Sequence, residues 1–355
     1  MFNVTNYSTK VRNINVDIIK CIAVFLVVSV HFCFNNGFYE TTISCPRMYI
    51  MASIRTFSMM CVPLFLLITG YLMNKKEFSK KFYFGLKRIL IPYTIISLFT
   101  LIIRVLLHDY NFFKDVNYFT GFLDFNLIGY AWYVDMYIGL FLLIPFINKM
   151  FSDKFKDTVL MCTLLFLTML PSICSGPTFF IKKWETMWPL TYYVLGAYIS
   201  RYNLKLKTKN SLLMFIFFMS FFIILNCIIT HNKLWNLHSF DSWGGLENVI
   251  TSTLFFILIL NLRFNISEKF KKVISYIANL SLGIYLSSFI FDSIYYYFLN
   301  TNISDVTAKL NMYPVIVPAS FLSAVILAII TDYIYKLIDN YIFKNEKNMP
   351  IYSDG

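Results

Sequence analysis

Long apolar stretches alternate with short polar joins along the whole chain. A helix crosses a hydrocarbon core in roughly 17 to 25 residues, and ten stretches approach or meet that length: 15–34, 51–73, 84–107, 129–147, 157–173, 186–200, 211–230, 247–262, 273–298 and 313–335. The sixth is short and polar. This pattern predicts an all-α membrane protein, a bundle of about ten transmembrane helices.

Charge adds an orientation. Of the 31 Lys and Arg residues, 20 lie in joins on one side of that layout and 6 on the other, alternating join by join, with five inside or at the edge of spans. Cytoplasmic joins carry the excess of Lys and Arg, so the count predicts N- and C-termini in the cytoplasm. Composition agrees: 58% of residues are hydrophobic and 14% are charged, where a soluble domain carries about 25%. The net charge of +12 could suggest nucleic acid, but the basic residues cluster in short joins between apolar runs, so no nucleic-acid partner is expected. Lys10 and Arg12 precede an apolar stretch, as in a secretory signal, yet charges inside it and the lack of a small-residue cleavage site argue against one. With no visible repeat or linker, the expected organisation is a single transmembrane domain over 1–340 and a short cytoplasmic tail over 341–355. Seven cysteines in no metal-ligand spacing read as apolar filler.

The chemistry lies within the spans, where ionisable side chains are costly and usually face a bundle interior or a watery cavity. "DIIKCIAVFLVVSVH" (17–31) places Asp17, Lys20 and His31 on the first helix. Lys20 and His31 are eleven steps apart, about 16 Å along the axis and nearly the same face; Asp17 is one turn from Lys20. With the N-terminus inside, Lys20 lies in the inner half of the bilayer and His31 in the outer half. An anionic donor can rest its phosphates near Lys20 and present its reactive end near His31, where an imidazole can take a proton from a hydroxyl. Spacing equally fits Lys20 snorkelling to the inner headgroups while paired with Asp17, and His31 sitting at the interface.

Lys20, ten intervening residues and His31, with Asp17 just before them, resemble the arginine-or-lysine-to-histidine signature of the acyltransferase 3 family of bacterial membrane acyltransferases. Other stretches follow in order: "VPLFLLITGYLM" (62–73) resembles a segment ending in Ser-Gly-Tyr, with Thr69 for the serine. "KRILIPY" (87–93) is similar to a basic helix entry, "AWYVDMYIGLFLLIP" (131–145) to a Trp-Tyr segment, "YYVLGAYIS" (192–200) to a glycine-containing helix and "SLGIYLSSF" (281–289) to a Gly-Ile-Tyr-Leu segment. Three positions depart: Tyr130 and Ser288 stand where family members often have histidine, and Gly85 where a paired-arginine pattern has its first arginine.

The resemblance implies a stand-alone O-acyltransferase of the bacterial cell membrane, multi-pass, moving an acyl group, most often acetyl, from cytoplasmic acyl-CoA to a hydroxyl of a surface or exported polysaccharide. It implies acetyl-CoA as donor and no metal. Lys20, Lys87 and Arg88 would meet the CoA phosphates; His31 would be general base or transient acyl carrier. Asp17, grouped with His31 at the catalytic position, would hold Lys20. Partners would be acyl-CoA, a glycan acceptor and membrane lipid, with a homo-oligomer left open. The competing reading is a polysaccharide exporter of similar fold.

Other residues carry two readings each. Arg55 and Arg104 can line the cavity, or Arg104 can anchor at the interface. Asp135, three residues after Trp132, can orient a reacting group or pair with a basic residue. Trp132, Tyr133 and Tyr285 can bound a sugar site or belong to the aromatic belt. Outer joins with His108, His231, His238, Trp235 and Trp243 can touch a glycan. Asp292 and Asp332 have no partner in the pattern.

Overall fold

A computed structural model describes residues 12–107, 118–173, 182–236 and 242–342. Lys10, Lys114, Cys174, His108, His238 and nearly all of the expected tail lie outside these residues. The described chain is helical: α1 Ile14–Asn35, α2 Pro46–Ser58, α3 Cys61–Met73, α4 Lys80–Tyr83, α5 Lys87–Leu106, α6 Tyr118–Leu123, α7 Trp132–Met150, α8 Lys154–Ile173, α9 Trp188–Arg201, α10 Thr208–Thr230, α11 Leu246–Asn261, α12 Glu268–Asn279, α13 Ser281–Asn302, α14 Val306–Lys309 and α15 Tyr313–Ile342. Two isolated bridges tie Thr42 and Ile43 to Leu234 and His231 at the end of α10.

Among the described residues, eight helical segments are long and apolar enough to cross a membrane. They correspond to eight of the ten expected stretches. The other two are α9, with 14 residues, and α11, with 16. Helix α9 is buried from Thr191 to Ile199 because it lies inside the bundle against α3. Backbone approaches backbone there: a Cβ on Gly70 would fall 1.9 Å from the Tyr193 carbonyl oxygen, and one on Gly196 would fall 2.1 Å from that of Leu67. Side chains at these two positions would hold the helices apart, which is why small residues recur at helix crossings in membranes.

Three boundaries differ from the sequence expectation. The second stretch is two helices, α2 and α3, joined at Met59–Met60, and it begins at Pro46 rather than 51. The ninth, expected as one span over 273–298, breaks at Leu280: the amphipathic α12 ends there and α13 begins. Just before the break, Ser275 and Asn279 bond Asp17 of α1 and Arg12 ahead of it, tying the end of α12 to the entry of α1. The fourth stretch begins at Trp132, not 129, since 124–131 is irregular chain that buries Leu127, Ile128 and Ala131 and leaves Asp124, Asn126 and Gly129 exposed.

That irregular segment needs donors, because an unpaired carbonyl at membrane depth is costly. Arg104 of α5 donates to the Leu127 carbonyl at 2.9 Å and Tyr285 of α13 to that of Tyr130, while Tyr93 of α5 donates at 2.8 Å to the Phe122 carbonyl in α6, just ahead of the segment. Since Tyr93 and Arg104 sit near opposite ends of α5, the segment runs alongside that helix. Leu127, Ile128 and Ala131 are fully buried.

Helix α1 is the central rod. Asn13 caps its start, accepting from the Asn15 amide at 3.0 Å, and Asp17 sits in the first turn, where the helix dipole favours an anion. Asn15 in turn donates to the carbonyls of Ile259, Leu260 and Leu262, closing the C-terminal end of α11.

Candidate functional site

Beside the C-terminal half of α1 lies a cavity of about 220 Å³, lined by Val27, Val30, His31 and Phe34 of α1, Cys61 and Val62 of α3, Tyr130 and Trp132, Trp243 and Tyr285. Helical spacing explains the α1 contribution, since 27, 30, 31 and 34 fall on one face. His31 is buried, and its Nδ1 meets Asp292 Oδ2 of α13 at 2.9 Å. Asp292 also accepts from the Tyr130 hydroxyl at 3.0 Å, on Oδ2, and from Ser320 of α15 at 2.5 Å, on Oδ1. A carboxylate only accepts hydrogen bonds, and all three neighbours can donate. With Nδ1–H directed to Asp292, the neutral imidazole carries its lone pair on Nε2, which has no protein partner among the described residues.

The Tyr130 ring stacks on the His31 ring with centroids 3.7 Å apart and planes 29° apart. Asn35, one turn beyond His31, donates to the His31 carbonyl at 2.8 Å and to the Tyr130 oxygen at 3.0 Å. Imidazole and carboxylate are thus held by α1, α13, α15 and the 124–131 segment together. Trp132, 40% exposed, and Trp243 face each other across 6.0 Å at the cavity, with indole planes 33° apart.

The other sequence candidates are placed as follows. Asp17 is buried but pairs with Arg12, through bonds of 2.5 and 2.9 Å, and accepts from Ser275 at 2.7 Å. The expected pairing of Asp17 with Lys20 is therefore corrected: Arg12 reaches back to the carboxylate with a two-pronged guanidinium, and one turn of helix separates Asp17 from Lys20. Lys20 is half-buried and makes no ion pair or hydrogen bond among the described residues. Lys87 pairs with Asp339 of α15 at 2.6 Å, and Arg88 is exposed at the start of α5.

Arg55 is fully buried, but away from the cavity lining: it donates to the Tyr39 hydroxyl at 3.1 Å and lies 4.8 Å over the Trp235 ring. Trp235, expected on a glycan-facing join, is 2% exposed for the same reason. His231 bonds the Tyr49 hydroxyl at 2.5 Å. Arg104 neither lines the cavity nor anchors at the interface; it serves the Leu127 carbonyl. Asp135 is exposed in the first turn of α7, where the helix N-terminus favours it. Trp132 and Tyr285 reach the cavity, whereas Tyr133 stands behind Tyr285, rings 5.6 Å apart.

Asp292, Ser320 and Asn35 were not singled out for this site from the sequence, whereas Trp243, expected on a join that can touch a glycan, does line the cavity. Asp292 carried a usable signal, since an aspartate in the middle of an apolar stretch needs a partner. The three departures also find places. Tyr130 occupies the centre of the site; Ser288 is buried and donates to the Tyr285 carbonyl at 2.8 Å within its own helix. Gly85 lies in the turn before α5, with the Phe141 ring 3.4 Å from the place of a Cβ.

A multi-pass helical bundle with a buried histidine–aspartate pair at the wall of a cavity defines a membrane protein equipped for proton transfer to or from a bound group. The family model described as "Acyltransferase domain", that of the acyltransferase 3 family, matches residues 13–333, and the chain belongs to this family. It is a membrane acyltransferase. No curated protein and no solved structure matches the chain.

Proposed function

We propose that the protein transfers acetyl from CoA to a hydroxyl of a surface or exported glycan, with His31 as general base, in a bacterial cytoplasmic membrane. The bond between His31 Nδ1 and Asp292 carries this reading. A neutral imidazole oriented through Nδ1 offers Nε2 to the cavity, the arrangement needed to take a proton from an attacking hydroxyl. The acceptor oxygen then attacks the thioester carbonyl, the C–S bond breaks, an ester forms, and the imidazolium proton passes to the departing thiolate.

With both termini in the cytoplasm, as the Lys and Arg distribution implies, Lys20 faces the side from which CoA arrives, roughly 16 Å from His31. Lys20 is the best candidate of the three cations for the CoA phosphates, because Lys87 already pairs with Asp339 and Arg88 lies on the surface. The indole pair of exposed Trp132 and half-buried Trp243 supports a sugar acceptor, since pyranose rings pack on aromatic faces.

The test is transfer of label from acetyl-labelled CoA into glycan in membranes carrying the protein, against His31→Ala at matched abundance. Label in the wild type and none in the variant is the expected result. Equal incorporation in both removes His31 from the chemistry; none in either removes the proposed donor or acceptor and favours an exporter.

A further inference from the structure

Tyr130 touches both members of the His31–Asp292 pair, and neither contact is a by-product of general packing. Its ring stacks on the imidazole, while its hydroxyl donates to Asp292 Oδ2, the same oxygen that meets His31 Nδ1. Two donors therefore share one carboxylate oxygen, and Ser320 takes the other. The hydroxyl is itself polarised, because Asn35 donates to the Tyr130 oxygen. Its backbone is fixed independently by the bond from Tyr285.

We propose that Tyr130 is a positioning residue that sets the basicity of His31 by sharing Asp292 Oδ2 with it. This rests on the reading of His31 as general base. The hydrogen bond from Tyr130 withdraws charge from the carboxylate and weakens its hold on an imidazolium. The ring stack keeps the imidazole plane in line with Asp292 and its Nε2 toward the cavity. Among the described residues, the titratable groups facing the pair are Tyr285 and Tyr296 of α13 and Cys61 of α3, with Tyr130 itself; α15 contributes the Ser320 and Tyr313 hydroxyls, and α1 adds Asn35 and Ser29. Buried Arg55 of α2 adds a positive charge that acts on Cys61 of the cavity wall, while Asp292 and its donors bond the pair directly.

Tyr130→Phe separates the two roles, keeping the ring and removing the hydroxyl. The sign is set by the carboxylate: without the tyrosine donor it stabilises imidazolium more strongly. The acid limb of kcat/KM for acetyl transfer is expected to move up by roughly half to one pH unit, with the alkaline plateau largely kept. A second readout needs no substrate. Diethyl pyrocarbonate reacts with neutral imidazole, and the midpoint of His31 modification against pH, followed by peptide mass, is expected to move the same way in the intact protein. Asn35→Leu, which removes the bond that polarises the tyrosine hydroxyl, is expected to move it in the same direction by less. An unmoved midpoint in both variants overturns the proposal, whatever happens to the overall rate. If wild type transfers no label yet the midpoint moves, the role of Tyr130 stands and the proposed reaction fails; if His31→Ala abolishes transfer and the midpoint is fixed, the reverse holds.

Discussion

His31 Nδ1 lies 2.9 Å from Asp292 Oδ2, although 261 positions separate them along the chain. That bond joins the C-terminal half of α1 to the middle of α13. Asp292→Asn keeps the volume and removes the acceptor charge. Acetyl transfer is expected to fall by roughly 100- to 10,000-fold, the range for an impaired general base. Initial rates at saturating donor, with protein amount and thermal midpoint held as controls, check this. A loss under tenfold would separate Asp292 from the chemistry.

The α3–α9 crossing is set by Gly70 and Gly196, where any Cβ would overlap backbone. Gly70→Ala is expected to destabilise the bundle by at least about 3 kcal/mol, because backbone cannot yield as a side chain does. Gly139 has nothing within 4 Å of its Cβ position, so Gly139→Ala serves as the neutral control. Thermal unfolding in detergent reads both.

Arg104 supplies the donor for the Leu127 carbonyl from within α5. Arg104→Leu leaves that carbonyl buried without this donor, at a cost of about 1–3 kcal/mol. The disturbance falls on the segment that carries Tyr130, so transfer activity is expected to decline along with stability. Arg104→Lys is expected to recover part of both. Protease nicking within 118–131, together with the thermal midpoint, measures the effect.

Lys20 and Lys87 are expected to differ in kind. Lys20→Met should raise KM for acetyl-CoA at least about tenfold with kcat changed less, as for a lost phosphate contact. Lys87→Met breaks the pair with Asp339 and should show chiefly in stability. A matched KM effect at both positions would place the donor at the entry of α5 as well.

Trp243 stands opposite Trp132 at the cavity. Trp243→Ala is expected to raise KM for the glycan about 3- to 10-fold while leaving KM for acetyl-CoA unchanged, the size of one lost aromatic contact. An effect on the donor instead would assign the indoles to the pantetheine arm or acyl group.

Hydropathy alone identified the membrane bundle, because lipid forces every spanning segment into long apolar helices and the alphabet records this directly. The family pattern located His31 for a related reason: an imidazole inside an apolar stretch has few structural uses. The short α9 was also visible, as the short sixth stretch with its glycine-containing "YYVLGAYIS", although only packing explains how 14 residues suffice inside the bundle.

What the sequence left open was which side chains meet. Asp17 and Lys20 share a helix face, yet Asp17 binds Arg12 and Ser275, because a guanidinium and a hydroxyl brought by other segments fit it better than a lysine one turn away. Asp292 had no partner by spacing, and only the crossing of α1 and α13 supplies His31. Tyr130 read as a departure from a pattern until the irregular 124–131 segment folded inward and set its ring on the imidazole. Local periodicity determines helices and their apolar faces; pairs hundreds of positions apart depend on how helices cross and where a loop re-enters, and those are properties of the tertiary structure.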